Sequence, residues 1–154
     1  SPTDILTLSI SENSSLYAFI KKLGGFIIPS YGWQVKIPDL KSYFNLIKGI
    51  LEERLNNSKF RNLTKTLRVS NYHQMVEIVF KEGKISEINI ENGYPDSEET
   101  DIRIPCAFLY KLLLGDKEFD ELSYILKDAI VNPSSKDLID IIFPKKKSYL
   151  SSDI

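Results

Sequence analysis

Residues 33–55, WQVKIPDLKSYFNLIKGILEERL, decide the fold class of this chain. Trp33, Val35 and Ile37 alternate with Gln34 and Lys36, the period of a strand with one buried face. Pro38 closes that strand, and Asp39 stands where a carboxylate caps a following helix. At ~100° per residue, Leu40, Tyr43, Phe44, Leu46, Ile47, Ile50, Leu51 and Leu55 then fill about half of a helical wheel. Lys41, Ser42, Asn45, Lys48, Gly49, Glu52, Glu53 and Asn56 fill the other half. So wide an apolar arc predicts a helix laid on a sheet and flanked by other helices. Arg54 alone falls inside the arc, and a guanidinium there needs a partner or a route to solvent. Its expected partners are the terminal carbonyls of its own helix or a carboxylate of the neighbouring sheet, which gives it a structural role.

Working outward, Leu16, Phe19, Ile20 and Leu23 have helical spacing ahead of the stop at Gly24-Gly25. On the other side, residues 63–70, 75–80 and 85–90 read as three strands of a meander, the last two joined by a turn containing Gly83. Residues 91–100 are acidic and turn-rich, which predicts a solvated loop, and Ile102 and Ile104 mark one more short strand before Pro105. The remainder is helical. Phe108, Leu109, Leu112 and Leu113 form a stripe ending at Gly115, and Phe119, Leu122, Ile125 and Leu126 form a second. Leu138, Ile139, Ile141 and Ile142 form a third, which Ser134 or Ser135 can cap and Phe143-Pro144 stops.

The 154 residues suit one domain with a sizeable core. Twenty basic and 21 acidic side chains nearly cancel, so the chain lacks the basic field that nucleic acid requires. The lone Cys106 excludes an intrachain disulfide and a cysteine-rich zinc site, and no apolar run reaches the ~20 residues of a membrane span. The expected setting is cytoplasmic. With one histidine there is no two-histidine metal set, and no glycine-rich phosphate loop is present. His73 reads as a loop residue between two strands. Cys106, at a helix start with no base beside it in sequence, reads as a buried structural thiol. The carboxylate pairs Glu52-Glu53, Glu98-Glu99 and Asp120-Glu121 read as solvated charge, as does the short run Lys145-Lys146-Lys147.

Six segments share one further property, their order and spacing. They are Gly32-Trp33-Gln34-Val35-Lys36-Ile37-Pro38-Asp39-Leu40, then Ile50-Leu51-Glu52-Glu53-Arg54-Leu55, then Phe80-Lys81-Glu82-Gly83-Lys84-Ile85. Ile104-Pro105 with residues 108–115, the Glu121-Leu122 helix, and residues 138–144 ending in Phe143-Pro144 follow. Together they resemble the C-terminal, sterol carrier protein 2-like domain of two-part GNAT-type N-acetyltransferases, over residues 30–154. The resemblance implies an α+β domain with a curved, mostly antiparallel sheet of about five strands and helices packed on one side. It makes residues 1–29 a helix and linker leading from an acetyltransferase domain of the same polypeptide. That domain would bind acetyl-CoA, while this chain binds no cofactor, is not catalytic alone, and shapes the acceptor side of the active site. In some members of the family the carboxylate at the chain end is catalytic; here that group belongs to Ile154, where the family has an aromatic residue.

Relatives of the sterol-carrier fold hold a lipid between sheet and helices. Phe108, Leu112, Leu113, Phe119 and Ile142 are the corresponding candidates, readable as an apolar pocket or as a filled core. The alternative function is therefore a free-standing module for a lipid or other apolar ligand, and a plain interaction domain using Tyr149 is a third. A homo-oligomer fits the same sequence. Trp33, like Arg54, is expected to be structural.

Overall fold

The computed structural model describes Leu6, Leu8, Ile10 and residues 14–28, 37–93 and 100–146. The chain divides into two units, residues 1–34 with 149–154, and residues 35–148. In the first unit α1 (Ser15–Lys22) opens on Ser14, whose Oγ accepts the Tyr17 N–H at 3.0 Å, and ends before Gly24 at φ +86°. The strand expected at 33–37 lies outside the described residues except for Ile37, which is not in a strand.

The second unit runs α2 (Leu40–Asn56), β1 (Lys65–Ser70), β2 (Gln74–Lys81), β3 (Lys84–Asn92), β4 (Ile102–Arg103), α3 (Cys106–Leu113), α4 (Phe119–Ile125), β5 (Ile130–Val131) and α5 (Lys136–Ile142). The strands form one open sheet in the order β3-β2-β1-β4-β5. Its pairs are antiparallel except β1 with β4, which is parallel. The α+β class and the mostly antiparallel five-stranded sheet are as expected. The parallel pair and β5 are additions, because two-residue strands carry no readable period.

Alternation builds the layers. Leu67 and Val69 of β1, Val76, Ile78 and Phe80 of β2, and Ile85 and Ile88 of β3 are buried and belong to the core that includes Leu40, Phe44, Leu51 and Leu55 of α2. The opposite face carries Arg68, Glu77 and Asn89 at paired register positions, and Arg68 Nε bonds Glu77 Oε1 at 2.8 Å. One buried face and one polar face is the pattern of an antiparallel sheet covered on one side. Buried residues of α3, α4 and α5 join the same core, and each fully buried Leu, Ile or Phe stabilises it by roughly 1.5–3 kcal/mol.

Local chemistry fixes the ends. Asp39 caps α2, accepting the N–H groups of Lys41 at 3.2 Å and Ser42 at 3.0 Å. Glu82 and Gly83, at φ +50° and +76°, make the tight β2–β3 turn. A Cβ at Gly83 would sit 1.9 Å from the Arg61 carbonyl oxygen, so only glycine fits. The arc on α2 is narrower than its sequence predicts: Leu46 is 82% exposed and Ile50 47%, because this helix packs on the sheet and α5 through one side, and among the described residues nothing covers these two on the other. No helix among the described residues is long and apolar enough to cross a membrane.

The short parallel pair is held by Asp101, a buried residue just before β4. Its carboxylate accepts the Arg68 N–H at 2.9 Å, the Ser135 hydroxyl, and the Lys65 ammonium at 2.7 Å. Removing it leaves an ammonium and two donors without their acceptor. Asp101→Ala should cost about 3 kcal/mol in urea unfolding, and Ser135→Ala about 1 kcal/mol. The two-part capping box at α4 gives a pH prediction. Lys145, 2.7 Å from Glu121, together with the Glu118 N–H holds the Glu121 carboxyl down to about 2, below its value of 4.5 in an unfolded chain. The folded pKa is the lower one, so this stabilisation is present above pH 4.5 and fades as pH falls toward 2. Thermal unfolding of wild type and Glu121→Gln should therefore differ at pH 6 and converge near pH 2.

Candidate functional site

The β1–β2 connection is held by three hydrogen bonds from its own backbone to its side chains. Asn71 Oδ1 accepts the N–H groups of His73 at 2.9 Å and Gln74 at 2.8 Å, and Ser70 Oγ accepts that of Tyr72 at 3.1 Å. These bonds hold Tyr72 at φ +73°, a left-handed conformation that is costly for a bulky side chain. The Tyr72 hydroxyl donates to the Asp128 carbonyl at 2.6 Å, and the Arg103 guanidinium lies 5.8 Å from the centre of its ring. The loop is thereby turned toward the start of α3.

Between them lies a cleft of about 320 Å³ lined by Asn71, Tyr72, His73, Pro105, Cys106 and Asp128. Cys106 is half-buried instead of fully buried, because Pro105 places it at the first position of α3 facing this opening. Its Sγ lies 3.3 Å from the hydroxyl of Tyr110, one turn along the same helix. That contact, with burial second, pushes the Tyr110 hydroxyl up to about 12. The second contact of the hydroxyl is the Ile37 carbonyl at 3.4 Å. The fold thus brings to one cleft three residues, His73, Cys106 and Asp128, that the sequence separates. Among the described residues no hydrogen bond joins the His73 imidazole to the Cys106 thiol, and no three His, Cys, Asp or Glu side chains are grouped to hold a metal. The cleft is a polar pocket, with no assembled nucleophile and base.

Arg54 has a different partner from both expected ones. Its Nη1 donates to the carbonyl of Ile142, the last residue of α5, and its Nε has no partner among the described residues. Burial pushes this guanidinium below its ordinary value, with Tyr43 and Glu53 opposing. Tyr43, raised by its own burial, donates to the Leu113 carbonyl at the end of α3 at 2.8 Å.

Leu112, Leu113, Phe119 and Ile142 are buried in the continuous core, and Phe108 packs at its margin. The five candidate pocket residues are therefore brought into one cluster, as part of the packing between helices and sheet. Trp33, Tyr149 and Ile154 lie outside the described residues. Of the cleft residues, Asn71 carried a turn signal, whereas Tyr72 and Asp128 carried none. Of the carboxylates read as solvated, Glu52 accepts the Ile85 N–H at 2.9 Å, and Asp120 lies 3.1 Å from Lys136.

Arg54→Met keeps an unbranched apolar stem but strips the Ile142 carbonyl of its donor. The variant should lose about 1.5–3 kcal/mol in chemical denaturation, with the folded spectrum unchanged; a stable variant would remove the structural role.

No protein-family model matches this chain, and neither a curated protein nor a solved structure does.

Proposed function

We propose that this chain is the C-terminal, sterol-carrier-like domain of a two-part GNAT-type N-acetyltransferase, where it shapes the acceptor side of the active site and is not catalytic alone. The observation that carries this reading is the layering of α2 to α5 on one face of a five-stranded, mostly antiparallel sheet, the architecture the resemblance implies. The fit of the residues to acetyl-CoA points the same way. A pyrophosphate is held by N–H groups at the positive start of a helix behind a glycine-rich turn. Gly24-Gly25 instead follow the end of α1, where carbonyls point outward and an anion is repelled. The cleft beside α3 has a helix start of the right polarity but no glycine-rich turn, since Ile104-Pro105 lead into it. These residues do not fit the cofactor, which the reading assigns to another domain of the same polypeptide.

Titration calorimetry of the isolated chain with acetyl-CoA should show no binding at millimolar ligand. In the two-domain polypeptide, deleting residues 35–148 should raise the KM for the amine acceptor while changing that for acetyl-CoA little. Micromolar acetyl-CoA binding by the chain alone, or an unchanged acceptor KM, would overturn the proposal. A lipid co-purifying in native mass spectra would favour the free-standing apolar-ligand module.

A further inference from the structure

β3 is an outer strand of the sheet and, among the described residues, pairs only with β2. The first part of its free side is covered, since Glu52 of α2 takes the Ile85 N–H at 2.9 Å and the Lys84 ammonium at 3.1 Å. From Glu87 to Asn92 the outward backbone groups have no partner among the described residues. Such an edge is a ready template for another strand unless charge or shape prevents it. Ile88 is buried and Ile90 half-buried on the helix side, while Glu87, Asn89 and Glu91 are exposed on the other.

Charge selects the occupant. Lys84 is already paired with Glu52, and Glu77 on the neighbouring strand with Arg68, while Glu87 and Glu91, the charges of residues 87–92, have no ion pair among the described residues. A second copy of the chain is disfavoured: two β3 strands paired antiparallel about Asn89 would set Glu87 of one opposite Glu91 of the other, and like charges directly opposite are destabilising. A strand with basic side chains at alternate positions meets the same two carboxylates favourably, and its intervening apolar side chains extend the surface begun by Ile88 and Ile90.

We propose that the free edge of β3 over residues 87–92 is a docking site for an extended segment of a partner protein in which Lys or Arg alternates with apolar residues, added as a sixth strand. The backbone edge supplies the binding, and the acidic pair admits basic strands while refusing a second β3.

A fluorescein-labelled octapeptide alternating lysine and valine provides the test, read by anisotropy and by ¹⁵N amide shifts. Saturable binding is expected, with shifts concentrated on residues 86–92. Glu87→Lys with Glu91→Lys, both at exposed positions, should weaken it by about tenfold or more. A peptide N-methylated at alternate amides should lose binding too, because the ladder cannot form. Absence of saturable binding at millimolar peptide would overturn the proposal. So would equal binding of the N-methylated peptide, which would reduce the effect to charge attraction, or shifts lying away from β3.

Discussion

The sheet depends on one buried carboxylate. β1 and β4 run parallel over only two residue pairs, Val69 with Ile102 and Ser70 with Arg103, too short a ladder to fix a crossover connection by itself. Asp101 supplies what the ladder lacks. Its backbone N–H donates to the Arg68 carbonyl at 3.0 Å, its carbonyl accepts the Asn132 N–H at 2.8 Å, and its side chain gathers Arg68, Ser135 and Lys65. One residue thus ties β1, the entry to β4, the exit from β5 and the start of α5. A charge buried this far needs such a set of donors, since an unpaired carboxylate would be protonated or would unfold its surroundings. Lys65 Nζ also lies 2.6 Å from Ser135 Oγ. A lysine so close to a hydroxyl has the form of a base and a nucleophile, but Ser135 is wholly buried, so no substrate reaches it. The trio is structural.

From that junction the rest of the second unit follows by burial. The meander β1–β3 has local connections and an alternating pattern, so it forms its own buried face, and α2 lies across it beside β3 and α5. The C-terminal helices then close over the part of the sheet that Asp101 has positioned. Phe44 of α2 and Phe143 meet edge to face at 6.2 Å, joining the earliest helix of this unit to its last. The cleft at His73 and Cys106 is a by-product of the same geometry. The β1–β2 loop and the start of α3 both stand at the end of β1, because β4 leads into α3 alongside it.

Much of this was legible because period and burial coincide. β1, β2 and β3 alternate over six to nine residues, and α2 to α5 repeat apolar residues at helical spacing; such segments announce their own faces. β4 and β5 have two residues each, so no period exists to be read, and the parallel pairing depends on Asp101, whose role is invisible without its partners. Leu46 and Ile50 misled because apolarity reports what a residue could bury, not whether a neighbour arrives. The cleft was illegible for another reason. Residues 71–73, 105–106 and 128 come from three separate parts of the chain, and nothing within any one of them marks the others.

Arg54 shows how far a pattern violation can be interpreted from sequence. That a guanidinium inside the apolar arc must have a hydrogen-bond acceptor follows from the cost of burial; which acceptor does not, and the one used lies 88 residues away. Tyr43 obeys the same logic. The two are eleven residues apart on α2, which places them roughly 20° from each other on the wheel and about 16 Å apart along the axis. They form one stripe of hydrogen-bond donors, and each finds the carbonyl of a helix's last residue, Leu113 of α3 for Tyr43 and Ile142 of α5 for Arg54. Helix ends leave carbonyls without partners, and the negative end of the helix dipole favours a cation. The longest helix of the unit therefore serves as a cap for two shorter ones. The apparent defects in its apolar face are where it fixes the ends of α3 and α5, and this is why a helix so two-faced in sequence carries polar atoms on the side that is buried.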